Sequence, residues 1–355
     1  MRFDNRWLES FLEAEQAQSC LVVEDPRVRE SLRHYLRSGK VVCPAAGVYA
    51  RTEHWECLND RQRSLHTMRA LQRLHPDWVF CRDSAAVAWG LPLSFDRMRE
   101  VHVATSPENR SRSTRGVRRH VVANVACEVV DGLRVTSLPL TVFDCMRSMD
   151  FGHALSVADA ALHSGVVSRR DLAKTFQERG KHRTGARKAL RTLLYADGRS
   201  ESAGESLARA KMIELGFALP ELQVELPNPI DPVHSYRVDF LWLREDGSYA
   251  IGEFDGFVKY SDEAVRGGRS ALRVLADERQ RESRLSVYGM PIVRFTYGDV
   301  MDAAGFSRLL KGFGIPQSDS IAEKESKLAA GRAVSAQVFT LISLDGFRFP
   351  QRRCS

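Results

Sequence analysis

The 355-residue sequence is short of several signatures that would fix a protein class at once. Its seven cysteines, Cys20, Cys43, Cys57, Cys81, Cys127, Cys145 and Cys354, are odd in number and include no C-x-x-C pair. That argues against a disulfide framework and a zinc ribbon, and predicts reduced, mostly structural thiols. No apolar run approaches the roughly 20 residues that span a bilayer, and the opening MRFDNRWLES has no apolar core of a signal peptide. Both absences predict a cytoplasmic protein with no membrane partner. Also missing are G-x-x-x-x-G-K-[ST], G-x-G-x-x-G after a strand, G-x-S-x-G and H-E-x-x-H, which sets aside P-loop, dinucleotide, serine-hydrolase and zincin chemistry. The ten histidines are dispersed, and His34, His66, His75, His153 and His163 fall in helical text, where a structural role is expected.

What is present is moderate positive charge, net +7 with an estimated pI of 9.1, and part of it is clustered. From Arg97 to His120, Arg97, Arg99, Arg110, Arg112, Arg115, Arg118 and Arg119 stand against two acids, and a second basic run extends from Arg169 to Arg191. Each run suits either a phosphate backbone or a solvated loop and helix face.

The length favours two or three domains, and the predicted class is a multidomain α+β or α/β protein. Residues 1–58 read as a small helical module with a hairpin: Val28, Leu32, Tyr35 and Leu36 keep helical spacing, Gly39 ends the helix, and Val41 to Tyr49 turn at Pro-Ala-Ala-Gly. That order suits either a winged helix, with Arg33, Arg37 and Lys40 toward DNA, or a structural cap of an α+β domain. Residues 59–198 read as an α/β middle domain with a helical end, in which Trp78, Phe80 and Trp89 pack the core. YADGRSESAG reads as a linker, residues 199–314 as a compact α/β unit, and 315–355 as a tail.

In VDFLWLREDGSYAIGEFDG, Asp246-Gly247 joins two apolar runs and signals a hairpin. An even loop separates Asp239 from Glu253. An odd one of three residues, with Gly247 left-handed, gathers Asp239, Glu253 and Asp255 on one face, Asp239 then pairing with Asp255. The odd register is the expectation. Clustered carboxylates repel one another and call for a cation, for which hard oxygen ligands suit Mg²⁺ or Mn²⁺. Lys259 follows four residues beyond Asp255 and would polarise a water or neutralise developing charge. Glu205 shares a helical strip with Ala208, Met212 and Leu215, so it continues the buried face, although a first-turn glutamate also suits the helix dipole. Arg281 on a helix and Arg294 on the next strand would contact phosphate or pair with the acids.

Glu205, Asp239, Glu253-x-Asp255-Gly256 and the text DERQRESRLSVYGMPIVRFT resemble the PD-(D/E)XK nuclease superfamily, in its very-short-patch-repair-like branch. GVYAR and WVFCRDSAAVAWGLP resemble the AbiEi-type antitoxin family, and the two resemblances cover roughly residues 20–312. They imply a restriction-endonuclease-like C-terminal domain in which Asp239 and Glu253 hold Mg²⁺ for phosphodiester hydrolysis with Glu205 as an outer ligand. They also imply a winged helix on double-stranded DNA, Arg112, Arg115, Arg118 and Arg119 along the backbone, and a cognate toxin as partner. The chain departs from the superfamily where Asp255 takes the usual place of a lysine. An antitoxin-like regulator with an inactive nuclease-like domain is one alternative, and a structural salt-bridge network of the hairpin acids is the other.

Overall fold

The computed structural model describes residues 5–108, 112–123, 125, 127–181, 183–231, 233–256 and 271–329. The chain is a mixed α/β protein that divides into two compact units, residues 1–148 with 174–179 and residues 149–173 with 180–355. Among the described residues, no helix is long and apolar enough to cross a membrane.

Unit 1 begins with α1 (Asn5–Gln16), β1 (Leu21–Val22), α2 (Pro26–Arg37), β2 (Val41–Ala45) and β3 (Val48–Arg51). The sequence dictates α2 closely. The Asp25 carboxylate accepts from the Arg27 N–H, Pro26 occupies the first turn, and Gly39 leaves the helix with φ +71°. The three strands form an antiparallel sheet in the order β1-β3-β2. Phe11, Val23, Leu32, Val41 and Tyr49 are buried beneath it.

The chain continues through α3 (Thr52–Cys57), α4 (Asp60–Leu74), β4 (Val79–Phe80), α5 (Arg82–Ala88), β5 (Val101–Thr105), β6 (Val117–Val121), β7 (Cys127–Val130), β8 (Leu133–Thr136) and α6 (Leu138–Ser148). A reciprocal cap between Asn59 and Gln62 starts α4. The five-stranded sheet has the order β6-β5-β4-β8-β7, with β5 parallel to β6 and β4 parallel to β8. Its core joins Phe80, Val101, Val103, Val117, Leu133 and Val135 to Met68 and Leu71 of α4 and to Ala45 and Val48 of the hairpin. Trp78 and Trp89 pack against that core, as expected. The six described cysteines are all free. Burial pushes the Cys20 thiol up to about 12, which suits an inert structural role.

Unit 2 holds α7 (Phe151–His163), the first residues of α8 (Arg169–Arg179), α9 (Ala186–Tyr195), α10 (Ala203–Glu214), β9 (Glu221–Pro227), β10 (Ser235–Leu243), β11 (Tyr249–Asp255), α11 (Ala271–Leu285), β12 (Ile292–Thr296), α12 (Tyr297–Met301), α13 (Ala303–Gly312) and α14 (Asp319–Ala329). The four-stranded sheet runs β12-β11-β10-β9, antiparallel except for the parallel pair of β11 and β12. One side is packed by Phe217, Phe240, Trp242, Phe254, Phe295 and Phe306 with Ala208 and Met212 of α10. A smaller cluster centres on Val238, Ile251 and Leu285.

The stretch expected as a linker is tied down within this unit. The Asp197 N–H donates to Asp159 Oδ1 at 2.7 Å, and Arg169 Nη1 donates to the Ala196 carbonyl at 2.8 Å. Asp159 is fully buried and bonds the equally enclosed Arg209 at 2.7 Å. Arg209 also donates to the Tyr195 carbonyl at 2.8 Å. A helical strip read from apolar residues alone would leave this guanidinium in solvent.

Candidate functional site

The site forms where β10 and β11 run side by side. Arg244 N–H bonds the Ser248 carbonyl, Gly247 N–H bonds the Arg244 carbonyl, and Gly247 has φ +80°. Residues 245–247 therefore form the odd three-residue loop that was expected, with Gly247 supplying its left-handed step. The register lies two residues from the expected one. Phe240 pairs with Gly252 at the end of the ladder, a register that leads Asp239 toward Glu253 rather than Asp255. A two-residue slide preserves the alternation of faces, which is why the parity held while the partner changed. The regular ladder stops there, since Asp239 Oδ2 itself accepts the Phe254 N–H at 2.9 Å.

Glu253 is buried, with 6% of its surface exposed. Its Oε1 accepts from Arg281 Nη2 of α11 at 2.7 Å. Burial outweighs that guanidinium and, with the charge of Asp239, pushes the Glu253 carboxyl up to about 7. Glu205 is also buried, in the first turn of α10, together with Ala208 and Met212 as their spacing predicts. Its backbone N–H donates to the Ser202 cap at 3.1 Å, and its Oε2 accepts from the Glu201 N–H and from Gln223 Nε2, each at 3.0 Å. Burial raises its pKa, and Asp239 adds to the rise. Glu205, Asp239 and Glu253 thus form one electrostatically coupled group. Asp255 is turned to Arg294, whose Nε lies 3.9 Å from its Oδ2.

Two features were not legible in the text. Gln223 of β9 lies between the paired residues Val224 and Leu222, opposite Asp239, and has φ +53°, a region that residues with a side chain seldom occupy. Its amide is one of two donors on Glu205 Oε2, and nothing in ELQVELP marks it. Glu278 of α11 bonds both Arg281 and Arg294, so these two arginines, expected on phosphate or on the acids, carry carboxylate partners within unit 2. Arg281 also donates to the Arg237 carbonyl at 2.7 Å. Lys259 lies outside the described residues.

In unit 1 the residues expected on DNA are distributed over several elements. Arg33 is exposed and pairs with Glu30 at 2.8 Å, Arg37 is exposed, and Lys40 is half-buried. Arg112 and Arg115 are exposed, and Arg115 lines a hollow of about 490 Å³ with Cys43 and Trp55. Arg118 bonds Glu100, and Arg119 lies over the Trp78 ring at 4.5 Å.

Asp239 and Glu253 offer the hard oxygen donors that Mg²⁺ and Mn²⁺ prefer, and Mg²⁺ commonly takes only one or two protein carboxylates. Among the described residues no group of three His, Cys, Asp or Glu is close enough to cage an ion. Any ion here would therefore draw at most two carboxylates from the described residues.

No protein-family model matches the chain. Two Mycobacterium tuberculosis proteins, the uncharacterized proteins MT2308 and Rv2248, are each 32% identical to it over 220 residues, covering 60% of this chain and 74% of the relative. The chain belongs to their family. Neither relative's name specifies a reaction, and the chemistry of this chain lies in the carboxylate group and its surroundings.

Proposed function

We propose that unit 2 carries a Mg²⁺- or Mn²⁺-dependent endonuclease or nickase site of the restriction-endonuclease-like, PD-(D/E)XK kind, acting on double-stranded DNA. The observation that carries this reading is the placement of Asp239, which accepts the Phe254 N–H next to Glu253 and whose charge acts on both buried glutamates, Glu253 and Glu205. Asp239 and Glu253 would hold the ion, which when bound supplies an activated water and charge neutralisation at the phosphodiester. Gln223 orients Glu205, while Arg281 fixes one oxygen of Glu253 and offsets part of its charge. In unit 1, α2 and the β2–β3 hairpin are read as the winged-helix-like module, with Arg33, Arg37 and Lys40 toward DNA and Arg112, Arg115, Arg118 and Arg119 as further backbone contacts.

A second reading is favoured by the arginines. Arg281 on Glu253 and Arg294 beside Asp255 supply counter-charge without a metal. That suits an AbiEi-type, antitoxin-like transcriptional autoregulator with an inactive nuclease-like domain and a cognate toxin as partner. Supercoiled plasmid separates the two readings. The nuclease reading expects nicking with Mg²⁺ or Mn²⁺ that falls at least about 100-fold in Asp239→Ala and Glu253→Ala. Intact plasmid, together with salt-sensitive binding to the chain's own promoter, is the result for the regulator.

A further inference from the structure

Unit 1 holds a hollow that the nuclease chemistry does not use, opened by a break in the hairpin. Val42 pairs with Ala50 and Ala45 with Val48, so Cys43 and Pro44 of β2 stand against Tyr49 alone. A bulge of this kind bends its strand and disrupts the ladder locally, and Pro44 has no N–H to lose there. The hollow of about 490 Å³ lies where the bulge, the end of α2 and the start of α3 meet. Its frame is fixed, since Thr52 donates its hydroxyl to the Gly39 carbonyl at 2.6 Å and its N–H to the Lys40 carbonyl at 2.9 Å. Pre-formed cavities of roughly 300–1,000 Å³ take small organic molecules.

Most of the lining is apolar. Leu36, Val42 and Pro44 contribute hydrocarbon, and burial pushes the Cys43 thiol up, which keeps it neutral at pH 7. Trp55 adds an aromatic ring. Trp89 and Trp242 each give their indole N–H to a carbonyl, whereas that of Trp55 has no acceptor among the described residues. A partly enclosed tryptophan ordinarily finds one.

One cation stands among these groups. Gly116 has φ +73°, and a Cβ there would lie 2.1 Å from the Pro44 carbonyl oxygen. Only glycine lets the turn before β6 rest on the bulge so closely, and that contact sets Arg115 on the lining of the hollow. Arg115 forms no ion pair or hydrogen bond among the described residues. The hollow thus offers one uncommitted guanidinium beside apolar and aromatic surface.

We propose that this hollow binds a small aromatic monocarboxylate, with the carboxylate on Arg115 and the ring against Leu36, Val42 and Trp55. The guanidinium fork matches the two carboxylate oxygens. One counter-charge suits one negative charge. A phosphate monoester carries about −1.5 to −2 at pH 7, and the excess would lie unpaired against apolar walls. Arg115 is also among the backbone contacts of the DNA reading, and a bound carboxylate takes it away from phosphate. The site itself requires neither DNA nor the carboxylates of unit 2.

Calorimetric titration of the full chain at pH 7 with 3-phenylpropionate, 3-phenylpropan-1-ol and acetate tests this. The aromatic acid should bind saturably and at least about fivefold more tightly than the alcohol, which lacks the charge, or acetate, which lacks the ring. Arg115→Gln, at an exposed position, should keep the melting temperature and bring the acid down to the affinity of the alcohol. Val42→Phe should fill the hollow and weaken acid and alcohol alike. Equal binding of acid and alcohol, no saturable binding of the acid at millimolar concentration, or unchanged affinity for it in Arg115→Gln would overturn the proposal.

Discussion

Arg209→Ala is expected to destabilise unit 2 by about 3–5 kcal/mol, the range for removing one partner of a buried ion pair. The guanidinium is almost wholly enclosed and bonds both Asp159 at 2.7 Å and the Tyr195 carbonyl at 2.8 Å. Its loss leaves a buried carboxylate without counter-charge and a buried carbonyl without its donor. The cost should depend on pH in a definite direction. Burial pushes the Asp159 carboxyl up to about 6 even with Arg209 beside it. The folded state therefore binds more protons than the unfolded one between the unfolded value, near 3.8, and about 6. Through that window this group's contribution falls as pH rises. Without Arg209 the folded pKa climbs further, so the variant's deficit should be larger at pH 8 than at pH 5, where Asp159 is protonated in both proteins. Urea denaturation at the two pH values reads this out.

Gly204→Ala is expected to cost about 1–3 kcal/mol through overpacking. A Cβ at that position would lie 2.0 Å from the Phe254 ring, far inside any tolerated contact. Phe254 has little room to yield, being buried against Phe295 at a ring separation of 6.1 Å. The same strain reaches the carboxylates. Gly204 precedes Glu205, Phe254 follows Glu253, and the Phe254 N–H is held by Asp239. Cation binding should therefore weaken along with the melting temperature. A variant that melts like the parent would show that α10 can shift away from β11.

Much of this arrangement was written in local sequence. Asp246-Gly247 fixed the parity of the hairpin, and that parity was enough to place Asp239 and Glu253 together. The strip of Glu205, Ala208 and Met212 marked the face of α10 that turns inward. Other features depend on contacts distant in the chain. The partner of Asp239 follows from where the loop closes, which no single residue specifies. The burial of Arg209 depends on Asp159, 50 positions earlier, and an apolar strip carries no trace of it. His102 and His120 meet only because β5 and β6 are parallel, and Gln223 takes its unusual backbone conformation in a strand that alternation did not reveal.

The most direct measurement of the central claim is a calorimetric Mn²⁺ titration of the full chain beside Asp239→Asn and Glu253→Gln, at pH 6 and pH 8. One saturable site is expected in the parent chain, and both variants should lose it. Binding should be tighter at pH 8, because the Glu253 carboxyl, held near pH 7 by burial, must lose its proton to serve as a ligand. Absence of saturable binding in the parent chain, or equal binding in both variants, would contradict it.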